Sequence, residues 1–373
     1  MRLRYLLLAT LALLLAVPLA RSATTCAFTT VDTTWILDGD CWTDQTIAIP
    51  NGFTLDGANH TITAQDPSGD HFQGAVVKNG GTTVHIKNLK ITASALVNVC
   101  DGPGPPDNRL RGILFESADG SITKTIVENI NQGVSGCQEG NGIEVRNPPF
   151  DGTHPGTKTV TISGNTVTNY QKNGITANGD VAATITDNVV TGAGPVLYIA
   201  QNGIQLGYGA TGIVMDNQVA GSWYTGADWS ATGLLVFEAN DAMVHRNQVS
   251  GSQVGVAIET WCWNVPTASE NRVVQNTITG AEWGVTVASL DFPGYSNCQA
   301  SADNNKVTNN TITGASTGGN AGIALGPADY DLTNTLVPVT YNNKVIRNNI
   351  SGFNPSIDEF GSASKVRANV DGP

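Results

Sequence analysis

Two short phrases recur along this chain and restrict its fold more than any other feature. One is a glycine followed by aliphatic, any, aliphatic: GILFE from Gly112, GIEVR from Gly142, GITAN from Gly174 and GIQLG from Gly203. It continues as GLLVF from Gly233, GVAIE from Gly255, GVTVA from Gly284 and GIALG from Gly322. The other sets an asparagine between short apolar runs, as in TITDNVVTG and RVVQNTITG. Both alternate with period two and are therefore strands. Strands this short cannot bury a face alone, but stacked at a regular interval they enclose a continuous core. The chain is accordingly expected to be an all-β parallel solenoid of about nine coils, each of roughly 22–40 residues.

The asparagines form a column: Asn88, Asn165, Asn188, Asn217, Asn247, Asn276, Asn310 and Asn348, with Thr125 where one member is missing. Stacked about 4.7–4.9 Å apart, they can satisfy turn amides and carbonyls and tolerate left-handed backbone. This column is read as scaffold. Composition agrees with a strand-and-turn protein, since only 13% of residues are charged and 42 are glycine. The net charge of −12 argues against nucleic acid as a partner, and against polyanionic glycans unless a cation mediates.

Arg2 and Arg4, the apolar run Leu6 to Val17 and the small residues Ala20, Ser22 and Ala23 read as a signal peptide over 1–23. No later segment reads as a membrane span, so a secreted, extracellular or cell-surface protein is expected, as a monomer. An even count of six cysteines in such a chain implies disulfides. Fifteen connectivities exist, and the local pairing Cys26–Cys41, Cys100–Cys137 and Cys262–Cys298 is expected because a solenoid sets neighbouring coils side by side. Metal-type Cys/His spacing is absent. His60, His71, His85, His154 and His245 are scattered, and with three methionines they disfavour copper. No metal or cofactor is expected, and calcium has no supporting motif.

Over residues 30 to 352 these repeats resemble the right-handed parallel β-helix proteins of the pectate-lyase-like superfamily. TIAIPNGFTLDGANHTITA at 46–64 is similar to the entry coil of secreted members. The resemblance implies an N-terminal cap over 24–45, a β-helix over 46–352 and a C-terminal cap or tail over 353–373. It also implies a polysaccharide groove on the exposed sheet face. It does not imply one activity, because the superfamily holds lyases, hydrolases, epimerases and non-enzymes. The polygalacturonase-like set, the Asp-Pro-His of alginate epimerases and the paired arginines of pectate lyases are all missing.

If the aliphatic pairs of the glycine phrase point inward, the residues between them form two outward columns. One runs Leu114, Glu144, Thr176, Gln205, Leu235, Ala257, Thr286, Ala324; the other runs Glu116, Arg146, Asn178, Gly207, Phe237, Glu259, Ala288, Gly326. Flanking loops add Trp223, Tyr224, Trp229, Trp261, Trp263, Phe292 and Tyr295 near one stretch. Aromatic faces there, with Tyr208 and Phe237, suit the apolar face of a sugar. Glycoside hydrolysis needs two carboxyl groups, and Glu259 with Glu238 or Asp291 is the preferred set, ahead of Glu144 with Arg146. Glu259, among aromatic rings and other acids, is expected to titrate above the usual carboxyl range. An enzyme of this kind would be a polysaccharide-degrading hydrolase or lyase. The competing expectation is a non-catalytic surface or matrix β-helix, an adhesin or spacer.

Overall fold

The computed structural model describes residues 24–289, 300–316, 318–326, 340–359 and 364–371. The expected signal peptide, Asp291, Phe292, Tyr295 and Cys298 lie outside them. Among the described residues there are 36 strands and no helix, and the strands form three sheets of 11, 12 and 13. Each rung of the solenoid gives one strand to each sheet. The first complete rung is Ile47–Ile49, Phe53–Asp56 and Thr61–Ala64, and the last is Ile357–Glu359, Lys365–Arg367 and Val370–Asp371. Eleven rungs result rather than about nine. The extra rungs sit at the ends, where the chain packs without the glycine phrase. The segment expected as a C-terminal cap or tail thus carries one further rung.

All the described strand ladders are parallel except that Phe28–Val31 runs antiparallel to Thr34–Leu37 over the N-terminal opening. The Cys26–Cys41 disulfide ties this cap down, and Trp35 stacks on Phe28 at 5.0 Å. The antiparallel pair covers the first rung's edge in the thirteen-stranded sheet and Cys41–Thr43 does so in the twelve-stranded one, while Ile47–Ile49 remains the end strand of the eleven-stranded sheet.

The inside/outside register of the glycine phrase is as expected. Ile113, Ile143, Ile175, Ile204, Leu234, Val256, Val285 and Ile323 pair in sequence across the eleven-stranded sheet. They are all buried in one core that runs the length of the molecule. The glycine that opens each phrase has a steric cause. A Cβ on Gly174 would collide with Val190 inside the rung and with the carbonyl of Gly203 on the next. Any larger residue there would push two rungs apart.

The asparagine column is a hydrogen-bonded ladder in a turn between the second and third sheets. Asn217 donates its backbone N–H to Asn247 Oδ1 at 3.0 Å and its Nδ2 to the same oxygen at 2.9 Å and to Ile185 O at 2.9 Å. The pattern repeats from Asn165 through Asn348 and extends to Asn369. Left-handed backbone falls one residue earlier than expected, on Asp187, Asp216, Arg246 and Gln275. Asn88 occupies that left-handed position and is not in the ladder. The strand register places Leu89 on its first rung, beside Thr125. A second, shorter ladder of Asn271, Asn305 and Asn343 stands five residues before Asn276, Asn310 and Asn348, at the head of the same phrase (NRVVQN, NKVTNN, NKVIRN).

The outward columns are less exposed than a free sheet face would be. Leu114, Glu144, Thr176, Gln205, Ala257, Thr286 and Ala324 are all buried. Loops entering and leaving the eleven-stranded sheet rise on both sides and turn its outer face into the floor of a walled groove. One wall is fixed by the Cys100–Cys137 disulfide. Cys262 is also disulfide-bonded, and its expected partner Cys298 is outside the described residues.

Candidate functional site

Among the described residues, two pockets open along the groove. The first, about 640 Å³, has Asn202, Gln205, Thr232, Leu235, Phe237 and Glu259 on its floor. Tyr198, Tyr224, Asp228 and Trp229 come from one wall, and Tyr208, Trp261 and Trp263 from the other. The walls meet where Trp229 stacks on Trp261, with ring centres 5.7 Å apart and planes 23° apart. Trp261 also meets Phe237 edge-on at 5.5 Å and Trp263 at 5.0 Å. Phe237 and Trp261 form a small buried cluster, whereas Trp229 and Trp263 are 47% and 38% exposed. The aromatic group therefore divides into a packed base and an exposed rim, and the rim can lie against a ligand. Trp223 does not join it. That residue sits on the strand Gln218–Tyr224, paired with Pro195, and does not line the pocket.

Glu259 lies on the floor between Phe237 and Ala288, the expected cross-rung neighbours. It is 6% exposed and accepts a long hydrogen bond from Thr286 Oγ1 at 3.4 Å. Burial pushes its carboxyl up to about 7, against the small lowering from Thr286. The shift is a desolvation effect. The like-charge contribution expected from Glu238 is absent, because Glu238 points elsewhere. Its carboxylate accepts the backbone N–H groups of Trp263 at 2.6 Å, Asn264 at 2.8 Å and Val265 at 3.0 Å. Glu238 is fully buried and organises the Trp261/Trp263 loop, so it is a positioning residue rather than the second acid. Tyr208 borders the pocket, and burial, with a lesser contribution from Glu238, pushes its hydroxyl up to about 12. Asp228, from the loop SWYTGADWSAT, lines the pocket beside Trp229 and was not singled out in the sequence.

The second pocket, about 580 Å³, lies nearer the N-terminus, with Lys78, Leu114, Glu116 and Arg146 facing Asp107 and Pro103 to Pro106. Phe150 borders it and meets Tyr208 edge-on at 6.4 Å, which places the two pockets side by side. Glu144 and Arg146, the alternative catalytic set, are here bound into a salt-bridge network. Glu144 accepts from Arg111 and from Asn141 at 2.9 Å. Arg146 donates to Glu116 at 2.6 Å and to Asp107. Burial acts to raise Asp107, but hydrogen bonds from Arg109, Arg111 and Arg146 outweigh it and hold the carboxyl well below the usual range. Arg109, Arg111 and Asp107 fall outside the repeated phrases, and nothing in the sequence flagged this network. Its cations and anions compensate one another, and both Glu144 and Arg146 are engaged within it.

Comparison with known proteins bears on the fold. Residues 154–336 match the family model described as right handed beta helix region. The solved structure of the periplasmic alginate epimerase AlgG superposes with a TM-score of 0.50 at 14% identity, over 92% of this chain and 80% of that one. A mutant of the same epimerase gives 0.51 at 13%, over 92% and 79%. The chain is a right-handed parallel β-helix protein. The A-module of the Azotobacter vinelandii mannuronan C-5 epimerase AlgE4 aligns at 13% identity with a TM-score of 0.49, over 91% of this chain and 86% of that one. No protein of curated function matches this β-helix by sequence. At these identities the likeness is one of architecture. Among the described residues, no helix is long and apolar enough to cross a membrane.

Proposed function

We propose that this β-helix is a carbohydrate-acting protein that holds a polysaccharide in the walled groove and cleaves it, with Glu259 as the proton donor. The observation that carries this reading is the first pocket itself. A carboxyl group that titrates near 7 lies on the floor of a cavity rimmed by exposed tryptophans. A general acid must hold its proton at the working pH and sit where the leaving oxygen arrives. Burial of Glu259 supplies the first condition, and the aromatic rim, which favours sugar faces, supports the second. In the hydrolytic step Glu259 gives its proton to the glycosidic oxygen as the C–O bond breaks. Water adds to the anomeric carbon, and the second carboxylate of the pocket, Asp228, takes the water's proton. The alginate epimerase of this architecture agrees with a glycan substrate, and the disulfides agree with a secreted protein.

The test is a panel of polysaccharides assayed for new reducing ends and for the ultraviolet absorbance of unsaturated ends. Hydrolysis predicts the first without the second. Glu259→Gln is expected to lose turnover by at least about a hundredfold and to keep binding. Binding without cleavage by the wild-type protein would favour the adhesin or spacer instead.

A further inference from the structure

Among the described residues, one cation in the groove has no acidic partner. Lys172 lies in the turn that leads into the floor strand Asn173–Gly179, on the wall of the first pocket. Its ammonium donates to Ala200 O at 2.7 Å, the single hydrogen bond it makes among the described residues. The other cations on this face are compensated. Lys78 pairs with Glu116, Arg109 and Arg111 with Asp107, and Arg146 with both of those acids. Burial draws the Lys172 ammonium down to about 8, and no described carboxylate opposes that fall. Glu259 lines the same cavity, but its shift has no contribution from Lys172, so the two are not a pair.

The position is also held rigidly. Gln171, buried beside it, accepts from Gln132 N at 2.9 Å and donates to Cys137 O at 2.7 Å, on the loop fixed by the Cys100–Cys137 disulfide. The backbone carbonyl of Lys172 accepts Asn202 N from the next rung at 3.0 Å. A half-buried ammonium held in place with two N–H donors left over is costly unless an anion completes it.

Resting on the carbohydrate reading above, we infer that Lys172 recognises an acidic group, so that the sugar unit entering the first pocket carries one carboxylate or sulfate. The inference also limits charge density. Among the described residues only one cation is free in the groove, and the chain carries a net charge of −12. Among the described residues, a polymer charged on every unit would find no other uncompensated cation along the groove to offset the net negative charge. The fitting ligand is a mostly neutral glycan with isolated acidic units.

A glycan array of matched neutral, sparsely acidic and fully uronic chains, with uronate and sulfate forms of the acidic members, tests this. Wild-type protein is expected to bind the sparsely acidic chains at least tenfold better than the neutral ones and better than the fully uronic ones. The uronate and sulfate subsets identify which anion is used. Lys172→Met is expected to abolish the preference, with acidic and neutral chains then bound equally, while Lys172→Arg keeps the preference. Equal binding of neutral and acidic chains, tightest binding of fully uronic chains, or an unchanged preference in Lys172→Met overturns the inference and leaves the carbohydrate reading standing. Failure to bind any glycan overturns both.

Discussion

Glu259 sits in a conflict between stability and chemistry. Its carboxyl moves from an ordinary 4.5 to about 7 on burial. Between those values the folded chain holds a proton that the unfolded chain has lost. Stability therefore falls as pH rises through that window and levels off above it, a loss of roughly 3 kcal/mol. Glu259→Gln removes the ionisable group, so its melting temperature should exceed that of wild type at pH 8, with the gap closing towards pH 5. A thermal melt across that range checks it; a gap independent of pH would mean Glu259 is solvated. Catalysis should show the same group with the opposite benefit, turnover falling as pH rises through about 7, because the acid must be protonated. Neighbouring floor residues are less forgiving than a free sheet face would make them. Gln205 donates to Asn178 at 3.0 Å under the walls, so Gln205→Ala should cost about 1 kcal/mol rather than nothing. Ile204→Ala, which opens a cavity in the core, should cost about 2–4 kcal/mol in denaturant unfolding.

At the scale of elements, strands and loops differ in how far the sequence disclosed them. The alternation Ile204–Gln205–Leu206 defines a face whatever surrounds it, because a one-residue slip would bury the glutamine in the core. Loops carry no such period. That Trp229 would stack on Trp261 from the opposite wall, or that Asp107 would gather three arginines, depends on how long irregular segments fold back. The glutamate pair parts for the same reason: Glu238 follows Phe237, the cross-rung neighbour of Glu259, just past the end of its strand, and the Trp263–Val265 amides claim its carboxylate. Glu238→Ala should free that loop, leaving three backbone donors without their acceptor. Sugar affinity should weaken at least fivefold by tryptophan fluorescence while the far-ultraviolet spectrum stays that of the β-helix. In the ladder, Asn247→Ala removes the acceptor of the Asn217 N–H and of one Nδ2 hydrogen, while Nδ2 keeps Ile185 O, and it leaves Val214 O without its donor in the interior. It should cost about 2–4 kcal/mol, against near zero for Thr311→Ala on the exposed outer face.

The whole molecule is a long core with one functional side. The solenoid's stability is spread over eleven rungs, so the groove can carry a buried acid, an uncompensated lysine and an aromatic rim without endangering the fold. The repeat made that architecture legible and pointed to the stretch of the floor where the first pocket lies. It could not disclose Lys172 or Asp228, which lie in turns outside the repeated phrases. The central claim is that the first pocket holds the glycan, and the hydrogen-exchange footprint of a polysaccharide bound to the full-length protein tests it most directly. The account predicts slowed exchange in residues 198–208, 224–237 and 259–265, and unchanged exchange in the outer strands of the other two sheets. Protection confined to those two sheets, or to the second pocket around Asp107 and Arg146, would contradict it.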